Sequence, residues 1–205
     1  LDQPAEWGET VNGSLVERGA AFEDTLGGAL IQAQRFDAAA GYALFDQARR
    51  ARLTMSRAEY RRAIGGLFAP FSRVAADNPL AALREAFSVD NLATPGPRNR
   101  MVADPYTRLT VARDLVNQAA ALILTSVGRA RQLGVPEDRW VYLHGHAQAA
   151  ERPVLERPDL DRSPAAVRVV QVALSGAGCT LEDVRFLDLY SCFAAPVFNL
   201  TDAFG

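Results

Sequence analysis

The stretch Leu189-Tyr190-Ser191-Cys192-Phe193 carries the side chains best placed for chemistry. Apolar and charged residues alternate before it, as in a strand, and a helical pattern starts at Cys192, so polar groups arrive at a helix N-terminus. Unpaired backbone N–H groups and the helix dipole at such a point favour an oxyanion or a polarised carbonyl. Tyr190, with Ser191 beside it, can donate a hydrogen bond or exchange a proton. Packing also accounts for the same residues, with Cys192 and Phe193 in a core and Tyr190 a surface hydroxyl.

Leu143-His144-Gly145-His146 holds both histidines of the chain, two residues apart at a predicted strand end. Alternation turns both rings to one side if the strand continues through Gly145, although glycine also lets the backbone bend there. His144 and His146 are candidate proton carriers or simply exposed loop residues. No carboxylate or cysteine stands at a ligand spacing from them, so no metal site is expected.

A third concentration runs through Arg98-Asn99-Arg100-Met101-Val102-Ala103-Asp104-Pro105-Tyr106, then Arg108 and Arg113. Guanidinium groups around an aromatic ring suit a phosphate-bearing ligand, and they equally suit a solvated loop of Arg–Asp pairs. Gly65-Gly66 has no strand before it, so it marks close packing or a helix break rather than a phosphate loop.

These groups need elements to hold them. Residues 1 to about 40 show no sustained period beyond a possible Gly27-Gly28 turn ahead of Ala29-Leu30-Ile31. From Ala38 to about Leu53 the pattern predicts a helix with Tyr42, Phe45 and Arg49 on one stripe and Leu44 and Ala48 beside it. Ser56-Arg57-Ala58-Glu59 is a capping box opening a second helix, its buried stripe Tyr60, Ile64, Leu67, Phe68 and Phe71, ended by Asn78-Pro79. Thr94-Pro95-Gly96-Pro97 predicts a boundary.

Beyond it, Ala119 to Thr125, Arg139 to Gly145 and Val184 to Tyr190 read as strands. Helices are expected over Val127–Leu133, from Ser163-Pro164 to about Ser175 and from Cys192 onward, with one helical turn at Thr180–Asp183. This alternation predicts an α/β fold with layered elements behind an appended helical region.

Composition narrows the function classes. A chain of 205 residues that is 49% hydrophobic can build a real core, and a formal charge of −2 gives no footprint for nucleic acid or an anionic membrane. All 22 basic residues are arginine, which excludes lysine Schiff-base and phosphate-loop chemistry. Two cysteines, Cys179 and Cys192, make no disulfide framework and fit a cytoplasmic protein. No apolar run reaches the roughly 18 residues of a membrane span. The chain starts without methionine and stops within a helix that has just begun, so it is expected to be an internal piece of a longer protein.

Three stretches together resemble a family: Asn99 to Tyr106, then Arg113-Asp114-Leu115-Val116-Asn117-Gln118-Ala119-Ala120-Ala121, then Asp188-Leu189-Tyr190-Ser191-Cys192-Phe193. They look like the thiolase superfamily, specifically the acetyl-CoA acetyltransferase and lipid-transfer-associated, sterol-carrier-protein-type thiolase-like proteins of actinobacteria. The resemblance implies an αβα thiolase-like fold, with 1–97 a mainly helical loop domain, 98–126 the last strand region of the N-terminal core and 127–205 the first half of the C-terminal core. It implies an acyl-CoA ligand held by Arg100, Tyr106, Arg108 and Asn117, with Tyr190, Ser191, His144 and His146 as catalytic candidates.

Tyr190 stands where ordinary thiolases resemble one another in the asparagine of Asn-Glu-Ala-Phe, and sterol-carrier types in the histidine of His-Asp-Cys-Phe. Those side chains help form an oxyanion hole, and tyrosine changes both reach and acidity. Thiolase-like aldolases that cleave steroid side-chain thioesters also carry tyrosine here. The family's nucleophilic cysteine lies before this segment, and its Gly-His-Pro histidine and second catalytic cysteine lie after it. The resemblance thus implies an acyltransferase of fatty-acid or sterol metabolism, a retro-aldolase subunit, or a non-catalytic CoA-ester-binding module. A homo-oligomer or a complementary chain is expected to supply the rest of the core.

Overall fold

The computed structural model describes residues 37–113 and 119–205. The Gly27-Gly28 turn and the ligand candidate Asn117 lie outside the described residues. Asp37 accepts a hydrogen bond from the Ala39 N–H at 2.9 Å and starts helix α1, Ala38–Arg52. Arg49, Arg50 and Arg52 occupy its last turn, where the free carbonyls favour cations. Its buried stripe is Ala39, Ala43 and Asp46. The expected stripe of Tyr42, Phe45 and Arg49 runs beside it, half-buried, and Leu44 is exposed. Alanines take the inner face because they let the last helix of the chain approach closely.

The capping box forms as the sequence predicts. Glu59 accepts from the Ser56 N–H at 2.8 Å while Ser56 Oγ accepts from the Glu59 N–H at 3.3 Å, opening helix α2, Arg57–Asp77. Tyr60, Ile64, Gly65 and Ala69 are its buried residues, whereas Phe71 is exposed. Gly65 marks close packing. A Cβ there would stand 2.8 Å from the Val89 carbonyl oxygen, so only glycine lets the short helix α3, Val89–Ala93, lie against α2.

Periodicity missed α3, because one and a half turns are too few to show a period. Its own capping box pairs Ser88 with Asn91. Its end is sealed by Asn99, whose buried side-chain amide donates to the carbonyls of Asn91, Leu92 and Thr94 at 2.9, 3.0 and 3.2 Å, while its oxygen accepts from the Leu109 N–H at 2.9 Å. Asn99 thereby pins the hairpin that follows. That hairpin joins β1, Met101–Ala103, antiparallel to β2, Tyr106–Thr107, through a cis Asp104-Pro105 bond.

In the later part, helices stand where the pattern puts them: α4 over Val127–Gln132, α5 over Pro164–Ala177 and α6 over Ala194–Phe204. Glu151 doubles the cap of α5, accepting from Ser163 Oγ at 2.7 Å and from the Ala165 N–H at 2.8 Å. A left-handed Gly178 ends it at φ 67°. The three strands expected over 119–125, 139–145 and 184–190 are not paired among the described residues. Leu122, Ile123 and Leu124 are 86%, 91% and 83% exposed. A strand needs neighbouring N–H and C=O groups, and among the described residues no extended segment pairs with these three. Among the described residues no helix is long and apolar enough to cross a membrane.

An ion cluster ties the end of α1 to the end of α6. Arg49 donates to both Asp202 oxygens, at 2.8 and 2.6 Å, and Arg52 adds a third bond at 2.6 Å. The Arg49 hydrogen bonds hold the Asp202 carboxyl below its ordinary range, with partial burial opposing them and Arg52 adding to them. A lowered folded-state value means that the stability Asp202 contributes is present above the unfolded value of about 3.9 and lost as pH falls through the folded one. Urea melts should therefore show wild type more stable than Asp202→Asn at pH 7, by up to about 1 kcal/mol, with the gap closing below about pH 4. A gap that persists at low pH would contradict this.

Candidate active site

The N-terminus of α6 has no oxygen of its own to cap it, because the N-cap residue is Phe193. A carboxyl group from another helix lies close to it. Asp46 of α1 is 0% exposed and accepts from the Tyr60 hydroxyl at 2.6 Å and from the Tyr106 hydroxyl, with the Ala195 N–H of α6 nearby. Burial raises its pKa above the ordinary carboxylate range, against the lowering effects of Tyr106, Tyr60, nearby Arg49 and Ala195. Burial followed by the Asp46 charge pushes both tyrosines far up, so each is a permanent donor. Four elements, α1, α2, β2 and α6, thus meet at one acid group.

This arrangement corrects the expectation that the start of α6 is an open oxyanion site. Its Ala195 N–H already lies beside the Asp46 carboxyl group. Tyr190 presents an exposed hydroxyl donor near this opening.

Tyr190 is 56% exposed and stands at the edge of an aromatic shelf. Phe193 stacks on Tyr42 of α1 with ring centroids 4.3 Å apart and planes 14° from parallel, and Tyr106 meets its other side at 5.4 Å. Tyr190 lies 6.2 Å from Tyr42. Its acidity is lowered first by Cys192, then by partial burial and by Tyr42, so the phenol keeps its proton at neutral pH. The backbone is held as well, since the Ala112 N–H donates to the Cys192 carbonyl at 3.0 Å. Phe193 is buried, Cys192 is half-buried and both join the core, as the packing reading of this junction proposed, while Tyr190 remains accessible.

Ser191 is half-buried and lines a cavity of about 310 Å³ with Phe71, Leu187, Asp188, Leu189 and Val197. His144 and His146 are both exposed on either side of Gly145, where a Cβ would collide with the Ala173 carbonyl of α5. The close approach of two backbones, not a ligand, explains the glycine between them. Neither ring shares a hydrogen bond or an aromatic contact with Tyr190. Arg100 and Arg108 are neighbours across the hairpin, joined by the Arg108 N–H to Arg100 carbonyl bond at 2.9 Å, and both side chains are exposed without an ion pair among the described residues. Tyr106 is 0% exposed, so it acts in the core as the partner of Asp46 and presents no surface to a ligand here. Among the described residues no cluster of His, Cys, Asp and Glu is arranged to hold a metal ion.

Sequence reasoning passed over Asp46, although it interrupts a small-residue stripe, Ala39, Ala43, Asp46, at helical spacing. A carboxylate on an inner face is the signal that finds such a residue.

Among solved structures, the chain is similar to a monomeric SCP2-thiolase like protein type 1 from Mycobacterium smegmatis, at 54% sequence identity and a TM-score of 0.78 over 82% of this chain. The chain belongs to the SCP2-thiolase-like proteins. It spans 37% of the length of that relative. No family model matches the chain, and no curated protein does. The kinship agrees with the resemblance carried by the three motifs around Asn99, Arg113 and Asp188, and the α/β fold is thiolase-like. In this SCP2-thiolase-like chain, the aromatic shelf under Tyr190 is built jointly by α1 and by the start of α6.

Removing the buried acid should loosen all four elements. Asp46→Ala is expected to cost about 2–4 kcal/mol, because two buried hydroxyls lose their acceptor, and Tyr60→Phe about 1 kcal/mol. Combined in one chain, the two changes should cost less than their sum, as read by urea unfolding. Full additivity would show that Asp46 and Tyr60 act independently.

Proposed function

We propose that the chain forms part of a thiolase-like acyltransferase acting on acyl-CoA thioesters, of the acetyl-CoA acetyltransferase type. In this reading residues 1–97 are the helical loop domain, 98–126 the return into the N-terminal core and 127–205 the first half of the C-terminal core. The observation that carries it is the placement of Tyr190: exposed, protonated, and seated on a fixed shelf at the start of α6. A neutral phenol offers a hydrogen bond to a thioester carbonyl and strengthens that bond as negative charge develops on the oxygen. The exposed, ion-pair-free Arg100 and Arg108 suit the phosphates of CoA. The acyl-accepting cysteine of the family would come from the remainder of the protein.

The same tyrosine favours a second reading, a retro-aldolase subunit, because a phenol that keeps its proton is a competent acid for aldol cleavage. A non-catalytic CoA-ester-binding module is favoured instead by the exposed apolar run Leu122–Leu124, which a complementary chain would cover.

In a full-length protein carrying this segment, Tyr190→Phe should lower kcat for acyl-CoA turnover roughly 10- to 1000-fold with KM little changed. Calorimetric titration with CoA and acetyl-CoA should show saturable binding that weakens in Arg100→Ala/Arg108→Ala. Unchanged turnover removes Tyr190 from the chemistry. Binding without turnover in any acyl-CoA assay supports the module.

A further inference from the structure

We propose that the groove between α5 and α6 is a binding site for a small phosphate monoester, held by the guanidinium groups of Arg162 and Arg168. The site is separate from the Tyr190 junction and goes beyond the acyl-CoA reading given above.

Helical spacing makes the groove. Pro164, Val167, Arg168 and Gln171 recur on one face of α5, and Asn199, Asp202 and Ala203 do so on α6. The two faces border a cavity of about 530 Å³, inside the roughly 300–1,000 Å³ of small-molecule sites. Arg52, at the end of α1, also lines it.

Two carboxylates in the lining would repel an anion, and both are already answered. Asp202 accepts from Arg49 at 2.8 and 2.6 Å and from Arg52 at 2.6 Å, and Arg52 also donates to Asp161. Arg49, Arg52, Arg162 and Arg168 thus stand against Asp161 and Asp202, which leaves the groove positive. Arg162 comes no closer than 3.8 Å to Asp161 and its side chain is 65% exposed. Arg168 makes no ion pair, and the side-chain amides of Gln171 and Asn199 make no hydrogen bond, among the described residues. The start of α5 is not the seat of the ligand, since its Ala165 and Ala166 N–H groups already donate to Glu151 and Ser163.

Two guanidinium forks and two amides carry more donors than the two oxygens of a carboxylate can use. A phosphate monoester presents three oxygens and up to two charges, and guanidinium groups match those oxygens in pairs. Gln171 and Asn199 can also accept, so they suit hydroxyl groups on the alcohol part of the ester.

Calorimetric titration of the chain with glycerol 3-phosphate at low ionic strength tests the site. Saturable binding is expected, weakened at least about tenfold in Arg162→Ala/Arg168→Ala, as for the loss of charge-assisted hydrogen bonds. Both side chains are exposed, so this variant should keep its helix content by circular dichroism. Inorganic phosphate should compete and glycerol should not. Arg100→Ala/Arg108→Ala, on the hairpin, should bind glycerol 3-phosphate as the wild type does.

Given that binding, CoA titrated into the same variants names the source of the phosphate. Heat lost in Arg162→Ala/Arg168→Ala supports the site with CoA as its ligand, and heat lost only in Arg100→Ala/Arg108→Ala supports it as the seat of a different phosphate ester. No saturable heat with glycerol 3-phosphate overturns the proposal. Equal binding by wild type and Arg162→Ala/Arg168→Ala overturns it too, and so does equal weakening in both double variants, which would mark a general response to charge.

Discussion

Asp46 is a carboxylate with no exposed surface, and its position is set by hydroxyl donors from two other elements, Tyr60 of α2 and Tyr106 of β2, with the Ala195 N–H of α6 nearby. Burying an acid is costly, and it is tolerated only when its lone pairs are satisfied. The cost makes the arrangement specific, since no neighbouring element can shift without leaving either the acid or a tyrosine hydroxyl unpaired. The hydrophobic cluster of Ala39, Ala43, Ile64, Phe193 and Ala194 closes around this centre and keeps water from competing with it.

The placement of the exposed chemistry follows from that centre. Phe193 begins α6 without a capping oxygen, and the acid from α1 lies beside that helix start. With Asp46 at the helix start, the positive end of the α6 dipole is answered by protein rather than left for a ligand. What the junction then offers outward is a phenol on an aromatic shelf. Tyrosine at position 190 is an exposed donor that brings its own proton to this junction.

A second principle visible in the chain is that interfaces are set by what is missing from side chains. Gly65 admits the backbone of Val89, and Gly145 admits that of Ala173. Both glycines stand beside residues that invite a functional reading, a Gly-Gly pair in one case and two histidines in the other. Contact between backbones accounts for each. The arginines divide in a similar way: Arg49 and Arg52 are consumed by Asp202, Arg57 and Arg61 by Asp104, whereas Arg100 and Arg108 on the hairpin keep their charge facing solvent.

Local signals in the sequence determined the local elements. The Ser56–Glu59 capping box, the Ser163-Pro164 start and the Gly178 stop define helix ends through hydrogen bonds that span only a few residues, so they survive whatever the rest of the chain does. The three motifs that resemble SCP2-thiolase-like proteins were likewise legible as written. Tertiary structure alone decided which faces are buried, because Ala39, Ala43 and Asp46 become an inner stripe only when α6 lies against them. It decided that Tyr106 is a core donor rather than a ligand contact, since a hydroxyl's partner 60 residues away leaves no trace in local pattern. It decided also that segments 119–125 and 184–190 carry a strand-like pattern without strand pairing among the described residues, because a ladder is a property of two segments and a sequence window sees one.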